Sequence, residues 1–397
     1  MFLNFKAGEI LLKSKKKYIL TAIASAALAS FLTVAALSLA LGITPDKYAR
    51  FARFLVMMRF VETQYVDEVS FDKLMDGAIS GMVKSLGDPY SVYLDPEMYK
   101  KLIEQTEGSF GGIGVVMGFE NGVHIMSVLE GAPGEAAGLV VGDEILAVDG
   151  VPTAEMDSAS TAMAIRGEAG TEVVLKIRHA DRSEQDYTIT RDNIHVKTAA
   201  GRMLDGTTLG YIRISSFGDQ TAKEFETDYR KLQDEGMTGL IIDLRANPGG
   251  YVKTCVDIAN LVVPAGRVVS VVQRDGTREE HMSKLSEPTV PIVVLIDGNS
   301  ASASEILAGA LQDTGAGTLV GTTSYGKGSV QVVMPLPDGS EAVKLTIAKY
   351  YTPSGRSING TGIEPDVKVE LPENPQKDVQ LEKAIEVLND KIASMQK

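Results

Sequence analysis

Cysteine is almost absent from this chain of 397 residues, which contains only Cys255. One thiol cannot form an intrachain disulfide, and it cannot supply the cysteine clusters that hold metals. Cys255 lies in an apolar pattern with helical spacing, so we expect it to be packed in a core. No cluster of metal ligands stands out in the sequence, and we predict neither a metal nor an organic cofactor.

Histidine is also scarce, and the four in the chain are His124, His179, His195 and His281. Histidine is the usual general base for a serine nucleophile. None of the four lies in a recognisable triad setting, and the serines discussed below have no G-x-S-x-G sequence around them. A serine hydrolase built on this chain would therefore need a different base.

A surplus of positive charge is missing as well. Lysine and arginine total 39 against 52 aspartate and glutamate residues, which gives a formal net charge of −13. No basic stripe follows residue 20. The composition argues against a nucleic-acid-binding protein, because phosphate recognition needs clustered cations.

Charged residues are absent from Tyr18–Ile43, which follows four lysines between positions 13 and 17. The stretch is longer than a signal-peptide core and long enough to cross a bilayer. Lysines before a span place the N-terminus inside. We predict a cytoplasmic basic segment (1–17) and a transmembrane signal-anchor (18–43), although small residues at positions 38 and 40 leave cleavage open.

Three alternating serines mark the stretch around which the rest of the chain is organised. The apolar run Val290–Ile296 predicts a buried strand, and Glu305–Asp313 has helical spacing. Between them lie Ser300, Ser302 and Ser304, separated by alanines. A serine at a strand-to-helix corner is exposed, and the helix N-terminus beside it favours developing negative charge.

A lysine between two glycines closes this stretch, as Gly326-Lys327-Gly328, with Gln331 four residues beyond the lysine. A buried neutral amine can accept a serine proton if its pKa falls from ~10.4 towards ~7, a shift that full burial can produce. Gln331 could hold the amine by a hydrogen bond. The alternative interpretation makes the serines a helix cap and Lys327 a solvated loop charge.

The sequences SASASE and GKGSVQ resemble the carboxyl-terminal processing proteases, also called tail-specific proteases. This resemblance implies a serine–lysine dyad, with Ser302 as the nucleophile, Lys327 as the base and Gln331 in support. The lysine follows the serine by 25 residues. Asp313 matches another position of the family, and we interpret it as structural support.

Residues 108–192 resemble a PDZ domain. Within them, the pattern at Gly142–Gly150 predicts a strand that ends in an Asp-Gly turn. The resemblance implies that a peptide adds to the sheet edge while a glycine-containing loop captures its terminal carboxylate. That loop consists of Gly112, Ile113, Gly114 and Val115. Arg166 falls at the predicted end of the module's helix, where the family's arginine is implicated in sensing the bound tail. A solvated arginine at a helix end is the alternative.

A glycine turn follows the predicted buried strand Gly239–Arg245, in the sequence Ala246-Asn247-Pro248-Gly249-Gly250. It also resembles the family pattern, and its glycines leave backbone N–H groups free. We predict an oxyanion hole formed by Gly249 or Gly250 together with the N–H of Ala303. One such donor is commonly worth about 3 kcal/mol of transition-state stabilisation.

The resemblance covers roughly residues 45–375 and implies a mixed α/β fold, with a crotonase-like α/β protease core (193–375) and an inserted β-rich PDZ domain (108–192). A helical N-terminal region (44–107), with an apolar stripe suited to dimerisation, and a C-terminal helix (376–397) form the arms.

We predict a serine endopeptidase on the bacterial cell membrane that is single-pass, with its N-terminus cytoplasmic and its catalytic part extracytoplasmic. Its predicted partners are protein substrates bound by their C-termini and a second copy in a homodimer. Two other functions remain open: an inactive PDZ adaptor or chaperone at the membrane surface, and an acyl hydrolase that acts on a non-peptide substrate.

Overall fold

The computed structural model describes residues 18, 21–30, 32–33, 35–36, 44–107, 109–372 and 377–395. The predicted cytoplasmic segment (1–17) lies outside these residues, as do parts of the predicted signal-anchor (18–43) and both ends of the predicted C-terminal helix (376–397). Within the described residues, no helix is both long enough and apolar enough to cross a membrane. The chain divides into two compact units, residues 1–85 and 86–397.

In the first unit the described residues 21–30 are helical, and the helices α1 (Pro45–Gln64) and α2 (Phe71–Lys84) follow them. Proline in the first turn suits the start of α1, where its missing N–H costs nothing. Ser70 caps α2 by accepting the Lys73 N–H. Large apolar side chains of α1, including Phe51 and Phe60, are exposed in this single chain.

The second unit begins with a short strand and a helix and then forms a small antiparallel domain. Its elements are β1 (Val92–Leu94), α3 (Pro96–Glu107), β2 (Ser109–Gly112), β3 (Val115–Gly118), β4 (His124–Val128), α4 (Pro133–Ala136), β5 (Glu144–Val148), β6 (Val151–Pro152), a 3₁₀ turn (Thr153–Glu155), α5 (Ser158–Ile165), β7 (Glu172–Arg178), β8 (Glu184–Thr190) and β9 (Asp192–His195).

Strands β3, β4, β5, β7 and β8 form one sheet in that order, with β6 on β5 and β3 at an edge. Buried and exposed residues alternate along β7, and its Val173, Leu175 and Ile177 point into a core separate from the rest of the unit. Strands β2 and β9 pair with each other at the entry to and exit from this domain.

The larger part of the unit is an α/β core. Its elements are β10 (Ala199–Met203), β11 (Leu209–Ile214), α6 (Thr221–Asp234), β12 (Gly239–Asp243), α7 (Val252–Val262), β13 (Gly266–Gln273), β14 (Arg278–Ser283), β15 (Ile292–Ile296), α8 (Ala303–Asp313), β16 (Gly317–Gly321), β17 (Ser329–Pro335), β18 (Ala342–Tyr351), β19 (Val367–Lys368) and α9 (Val379–Met395).

A six-stranded sheet runs in the order β10-β11-β12-β15-β16-β19, and every pair except β10–β11 is parallel. All five residues of β12 and of β15 are buried, as expected for a parallel sheet covered on both faces. Val294 packs in the cluster that includes residues of α6, α7 and α8, whereas Val293 packs in the cluster with Leu388 of α9. The predicted mixed α/β fold is confirmed.

A second sheet contains β1, β18, β13 and β14 in that order, with β17 also paired to β18. Strand β1 comes from the segment predicted as part of the helical N-terminal region, yet it pairs with β18 in this core. Strands β12 and β15 are parallel neighbours, so the segments that follow them leave the sheet at the same edge. Those segments are the glycine turn and the serine corner.

Candidate active site

Ser302 lies at the sharp corner between β15 and α8, where it is the residue before the helix. Its backbone has φ 57° and ψ −114°, a strained conformation for a residue with a side chain. The two other serines of the corner are buried and donate to backbone carbonyls, Ser300 to Leu244 and Ser304 to Asn247. Ser302 Oγ donates no hydrogen bond to the described residues, and its oxygen forms the capping box of α8 with Glu305. Of the three serines, Ser302 is therefore the one whose hydroxyl proton is not used to hold the corner.

Glu305 is fully buried and joins the serine corner to the lysine loop. Its Oε2 accepts the backbone N–H groups of Ser302 and Lys327, each at 2.9 Å. Its Oε1 accepts the Gly326 N–H at 2.7 Å and the Ser324 hydroxyl at 2.6 Å. Glu305 has a role in the site that the sequence did not reveal. The available signal was its place three residues after Ser302, as in a capping box.

Tyr350 makes a second link between the same two segments. Its ring is buried, and its hydroxyl lies 3.2 Å from the Ser302 carbonyl oxygen and in hydrogen-bond contact with the Lys327 carbonyl oxygen. Burial, together with the charge of Glu305, raises the pKa of Tyr350 well above its usual value, so the phenol stays protonated and can donate.

Lys327 is half-buried in the loop before β17, between two glycines. Burial lowers the pKa of its amine, and the charge of Lys344 lowers it further, while Glu305 and Asp88 act in the opposite direction. Its Nζ lies 5.1 Å from the centroid of the Tyr90 ring. No hydrogen bond joins Nζ to Ser302 Oγ among the described residues. The pKa of the amine is thus shifted in the direction that favours its neutral form, and the amine lies against an aromatic ring.

The effect of the Lys344 charge on the Lys327 pKa can be tested by mutation. Lys344 lies on β18 opposite Val333 of β17 and forms no ion pair with a carboxylate among the described residues. We expect Lys344→Gln to raise the Lys327 pKa and to move the acidic limb of kcat/KM about half a pH unit higher. The sign follows because the base acts when neutral and Lys344 disfavours its charged form.

The pH profile of kcat/KM at low salt checks this expectation, and the shift should shrink in high salt. Lys349→Gln is the matched control, because Lys349 is exposed on the same strand and is not among the charges that act on Lys327. An acidic limb that stays in place in Lys344→Gln would contradict the role given to this charge.

Gln331 was predicted to hold the lysine amine, and the structure places its amide elsewhere. The amide nitrogen donates to Ser329 Oγ at 2.9 Å and to Thr346 Oγ1 at 3.1 Å. Within the described part of the chain, no hydrogen bond joins it to Lys327. These two hydroxyls lie on Gln331's own strand and on the neighbouring β18, so local pairing of the strands brings them within reach of the amide.

The glycine turn after β12 contacts the serine corner directly. Gly249 has φ 100°, and a Cβ there would lie 2.8 Å from Ser302 Cβ and 2.9 Å from the Ala303 nitrogen, so only glycine fits. Asn247 is buried and fixes the turn, since its amide donates to Ile214 and its carbonyl accepts the Ala301 N–H.

The three predicted oxyanion donors differ in their availability. Asn247 Oδ1 accepts the Gly249 N–H at 2.8 Å, so that donor is already engaged. The N–H groups of Gly250 and Ala303 have no acceptor among the described residues. The sequence allowed either Gly249 or Gly250 as the oxyanion donor. Because Asn247 Oδ1 already accepts the Gly249 N–H, Gly250 is the better candidate.

The predicted carboxylate-binding loop of the antiparallel domain connects β2 to β3. Gly112 ends β2, and Val115 begins β3. Between them, the carbonyl of buried Ile113 accepts the Gly134 N–H, and the carbonyl of Gly114 accepts the Leu129 N–H. The loop therefore has a fixed backbone beside the edge strand.

Arg166 follows α5 directly, at the predicted end of the helix. Its guanidinium carbon lies 4.2 Å from the centroid of the Phe110 ring on β2. A cation at this distance from an aromatic face is held by the ring quadrupole.

Comparisons with known proteins agree with this architecture. Residues 208–369 match peptidase family S41, residues 124–179 match the PDZ domain, and residues 35–98 match the N-terminal domain of the activating protease CtpB. The chain is 39% identical over 319 residues to the carboxy-terminal processing protease CtpB of Bacillus subtilis (79% of this chain and 66% of that one). It is 37% identical over 358 residues to CtpA of the same organism (89% and 76%).

A solved structure of the photosystem II D1 C-terminal processing protease is 29% identical, with a TM-score of 0.49, and the match covers 88% of this chain and 99% of that one. The family matches and the curated relatives define a serine-type peptidase that carries a PDZ domain. The chain belongs to peptidase family S41, among the carboxy-terminal processing proteases.

Proposed function

We propose that this enzyme is a membrane-anchored endopeptidase that captures exposed C-terminal tails and cuts peptide bonds with Ser302 and Lys327. The observation that carries the proposal is the double link made by Glu305 and Tyr350. Each contacts the backbone of both Ser302 and Lys327, so residues 25 positions apart in the sequence are held together. If Ser302 were only a helix cap and Lys327 only a solvated loop charge, nothing would require these contacts between the two segments.

In the proposed reaction, neutral Lys327 accepts the Ser302 proton and the oxygen attacks the peptide carbonyl carbon. The amine first turns from Tyr90 towards Ser302 by rotation of its side chain. The N–H groups of Gly250 and Ala303 stabilise the resulting oxyanion. The lysine then passes the proton to the leaving amine, and an ester to Ser302 forms. Water, deprotonated by the same lysine, releases the product and restores the serine.

Gly249 and Gln331 take supporting roles in this proposal. Gly249 lets the turn approach Ser302, because its backbone conformation and the close contact both exclude a side chain. Gln331 borders the site through Ser329 and Thr346, and it can receive the lysine amine if its amide turns.

Substrate capture is assigned to the PDZ domain. Its strand β3 is an edge strand of the sheet, so its backbone is available to pair with an added peptide strand. The loop of Gly112, Ile113, Gly114 and Val115 lies directly before that strand and would receive the terminal carboxylate. The proposed response of Arg166 to the bound tail is supported by its contact with Phe110 of β2, the strand that leads into this loop.

Attachment to the bacterial cell membrane rests on the uncharged stretch 18–43 after basic residues, with the N-terminus cytoplasmic and the catalytic part outside. Homodimer formation rests on helix α1, whose exposed apolar side chains include Phe51, Leu55, Val56 and Phe60. The match of residues 35–98 to the CtpB N-terminal domain covers this helix.

The capture step predicts that a free C-terminal carboxylate controls cleavage. The test compares two forms of one unfolded polypeptide, with identical apolar ends that carry either a carboxylate or an amide. We expect the full-length enzyme in detergent to lose about tenfold or more in kcat/KM with the amide, through KM, because the carboxylate makes charge-assisted bonds to the loop. A third form with two terminal aspartates should also be poorly cut. Equal cleavage of all three forms would refute recognition by the tail.

A further inference from the structure

The turn before strand β1 brings an aromatic ring to the lysine of the candidate site. Lys327 Nζ lies over the face of the Tyr90 ring, 5.1 Å from its centroid. A cation within about 6 Å of an aromatic centroid is attracted to the face of the ring. Within the part of the chain that the structure describes, Nζ makes neither a hydrogen bond nor an ion pair. The Tyr90 ring is therefore the contact that holds the amine where it lies.

Hydrogen bonds of the turn hold the Tyr90 ring in this place. Asp88 Oδ1 accepts the Tyr90 N–H at 3.2 Å, and Asp88 Oδ2 accepts the Ser91 hydroxyl at 2.5 Å. The Ser91 oxygen in turn accepts the Thr346 N–H of β18 at 3.0 Å. Strand β18 also pairs with β17, which follows the lysine loop. The ring and the amine are thus positioned by the same sheet.

The Tyr90 phenol is neutral at physiological pH. A hydrogen bond with the Tyr325 side chain, together with burial, raises the pKa of Tyr90 to about 12. The buried phenol of Tyr350 likewise stays protonated and adds no charge beside the lysine loop. The contact of Tyr90 with Lys327 therefore joins a cation to a neutral ring. A neutral amine has no charge for the ring to attract, so the attraction is confined to the protonated form.

The charges around Lys327 act in opposite directions on its pKa. Burial and the charge of Lys344 on β18 disfavour the protonated amine. Glu305 of α8 and Asp88 favour it. Asp88 lies in the same turn as Tyr90, so this turn supplies both a carboxylate and an aromatic face in favour of the protonated form.

We propose that Tyr90 is a positioning residue, which binds the protonated form of Lys327 and releases the neutral form towards Ser302. This inference rests on the proposed function, in which the neutral amine is the base. In the free enzyme, loss of the proton removes the attraction of the ring, so the amine leaves Tyr90 in the state in which it can accept a proton. The ring and the surrounding charges together set the pH at which the base becomes available.

Ring fluorination at position 90 tests this role with little change in side-chain size. The full-length enzyme in detergent carries Tyr90→Phe, or phenylalanine with one, two or three ring fluorines at that position. Each fluorine withdraws electrons from the ring face and weakens its attraction for a cation. Because the ring favours the protonated amine, a weaker ring lowers the Lys327 pKa. The base is then available at lower pH.

Tyr90→Phe keeps the aromatic face, so we expect the acidic limb of kcat/KM to stay within about 0.2 pH unit of wild type. Along the fluorine series the limb should move to lower pH, by about half a pH unit for three fluorines. Above the limb, kcat/KM should stay within about twofold, because the neutral amine is not held by the ring. A ring that only packs against the lysine would leave the limb in place.

A second measurement gives the Lys327 pKa without any cleavage, in the same variants combined with Ser302→Ala. Trace acetylation by acetic anhydride modifies neutral amines, and mass spectrometry follows its extent at Lys327 across the pH range. The midpoint should fall by about half a pH unit along the fluorine series. Lys349, exposed on the same sheet, is the internal control, and its labelling should follow one curve in all variants.

Two failures would have different meanings. If the acetylation midpoint of Lys327 does not move along the fluorine series, Tyr90 does not hold the protonated amine, and the proposed function stands. If the midpoint moves while the acidic limb of cleavage stays in place, the ring binds the amine but Lys327 is not the base, and it is the proposed function that fails.

Discussion

Alanine at Ser302 or at Lys327 is expected to reduce kcat by about 10⁴-fold or more, while binding of a substrate tail stays unchanged. Ser302→Ala removes the attacking oxygen. Lys327→Ala leaves that oxygen without a proton acceptor, because no histidine is placed to replace the amine: the described contacts of His124, His179, His195 and His281 lead away from Ser302. In the proposed function the tail is bound by the PDZ domain, which contains neither residue, so we expect its binding to be unaffected by either change.

Single-turnover cleavage of an unfolded polypeptide measures the chemical step, and fluorescence anisotropy of a labelled tail measures binding. Lys349→Ala serves as the control for loss of a lysine near the site, since Lys349 is exposed on β18. The double variant should be no slower than either single variant, because the two residues act as a unit. Cleavage by Lys327→Ala at the wild-type rate across the pH range would remove the lysine from the mechanism.

Glu305→Gln is expected to lower kcat by about 10²-fold and the free energy of unfolding by about 3 kcal/mol. The carboxylate accepts four hydrogen bonds from Ser302, Ser324, Gly326 and Lys327. A glutamine presents one oxygen and an NH₂ group, so two of these donors lose their acceptor inside a buried site. The serine corner and the lysine loop then separate, and the proton transfer between them slows.

Chemical denaturation gives the stability, and steady-state kinetics separate kcat from KM. The loss should lie in kcat, since the PDZ domain still binds the tail. Glu370→Gln is the matched control, because Glu370 is exposed and only pairs with Lys368 at the surface. A stable variant with wild-type kcat would show that Glu305 does not hold the two segments together.

Local sequence was sufficient to predict the serine corner. An apolar run followed by small residues and a helical pattern gave the strand, the turn and α8, and the structure has them at Ile292–Ile296 and Ala303–Asp313. The PDZ domain was predicted from its resemblance to a known module, whose motifs lie close together in the sequence. Both predictions depend on neighbours within a few tens of residues.

Residues whose roles depend on distant partners were missed or placed differently. Tyr350 reaches Ser302 from a strand 48 residues later, and nothing near Tyr350 in the sequence reveals this contact. Asn247 engages the Gly249 N–H that was predicted to bind the oxyanion. The amide of Gln331 donates hydrogen bonds to two hydroxyls of its own sheet and not to the lysine amine. Which hydrogen bonds these side chains make depends on the groups that the packed fold brings near them, and the local sequence does not specify those groups.

The pairing of β1 with β18 determines the order in which parts of the enzyme can fold during synthesis. The Ser91 hydroxyl accepts the Thr346 N–H from 255 residues further along the chain, and Tyr90 beside it lies against Lys327. During synthesis, the PDZ domain between these strands is complete long before β18 leaves the ribosome, because its own contacts are local. The nascent chain therefore completes its PDZ domain before β18 can bring the setting of Lys327 together. Until then, a growing chain has no assembled site with which to cut itself or its neighbours.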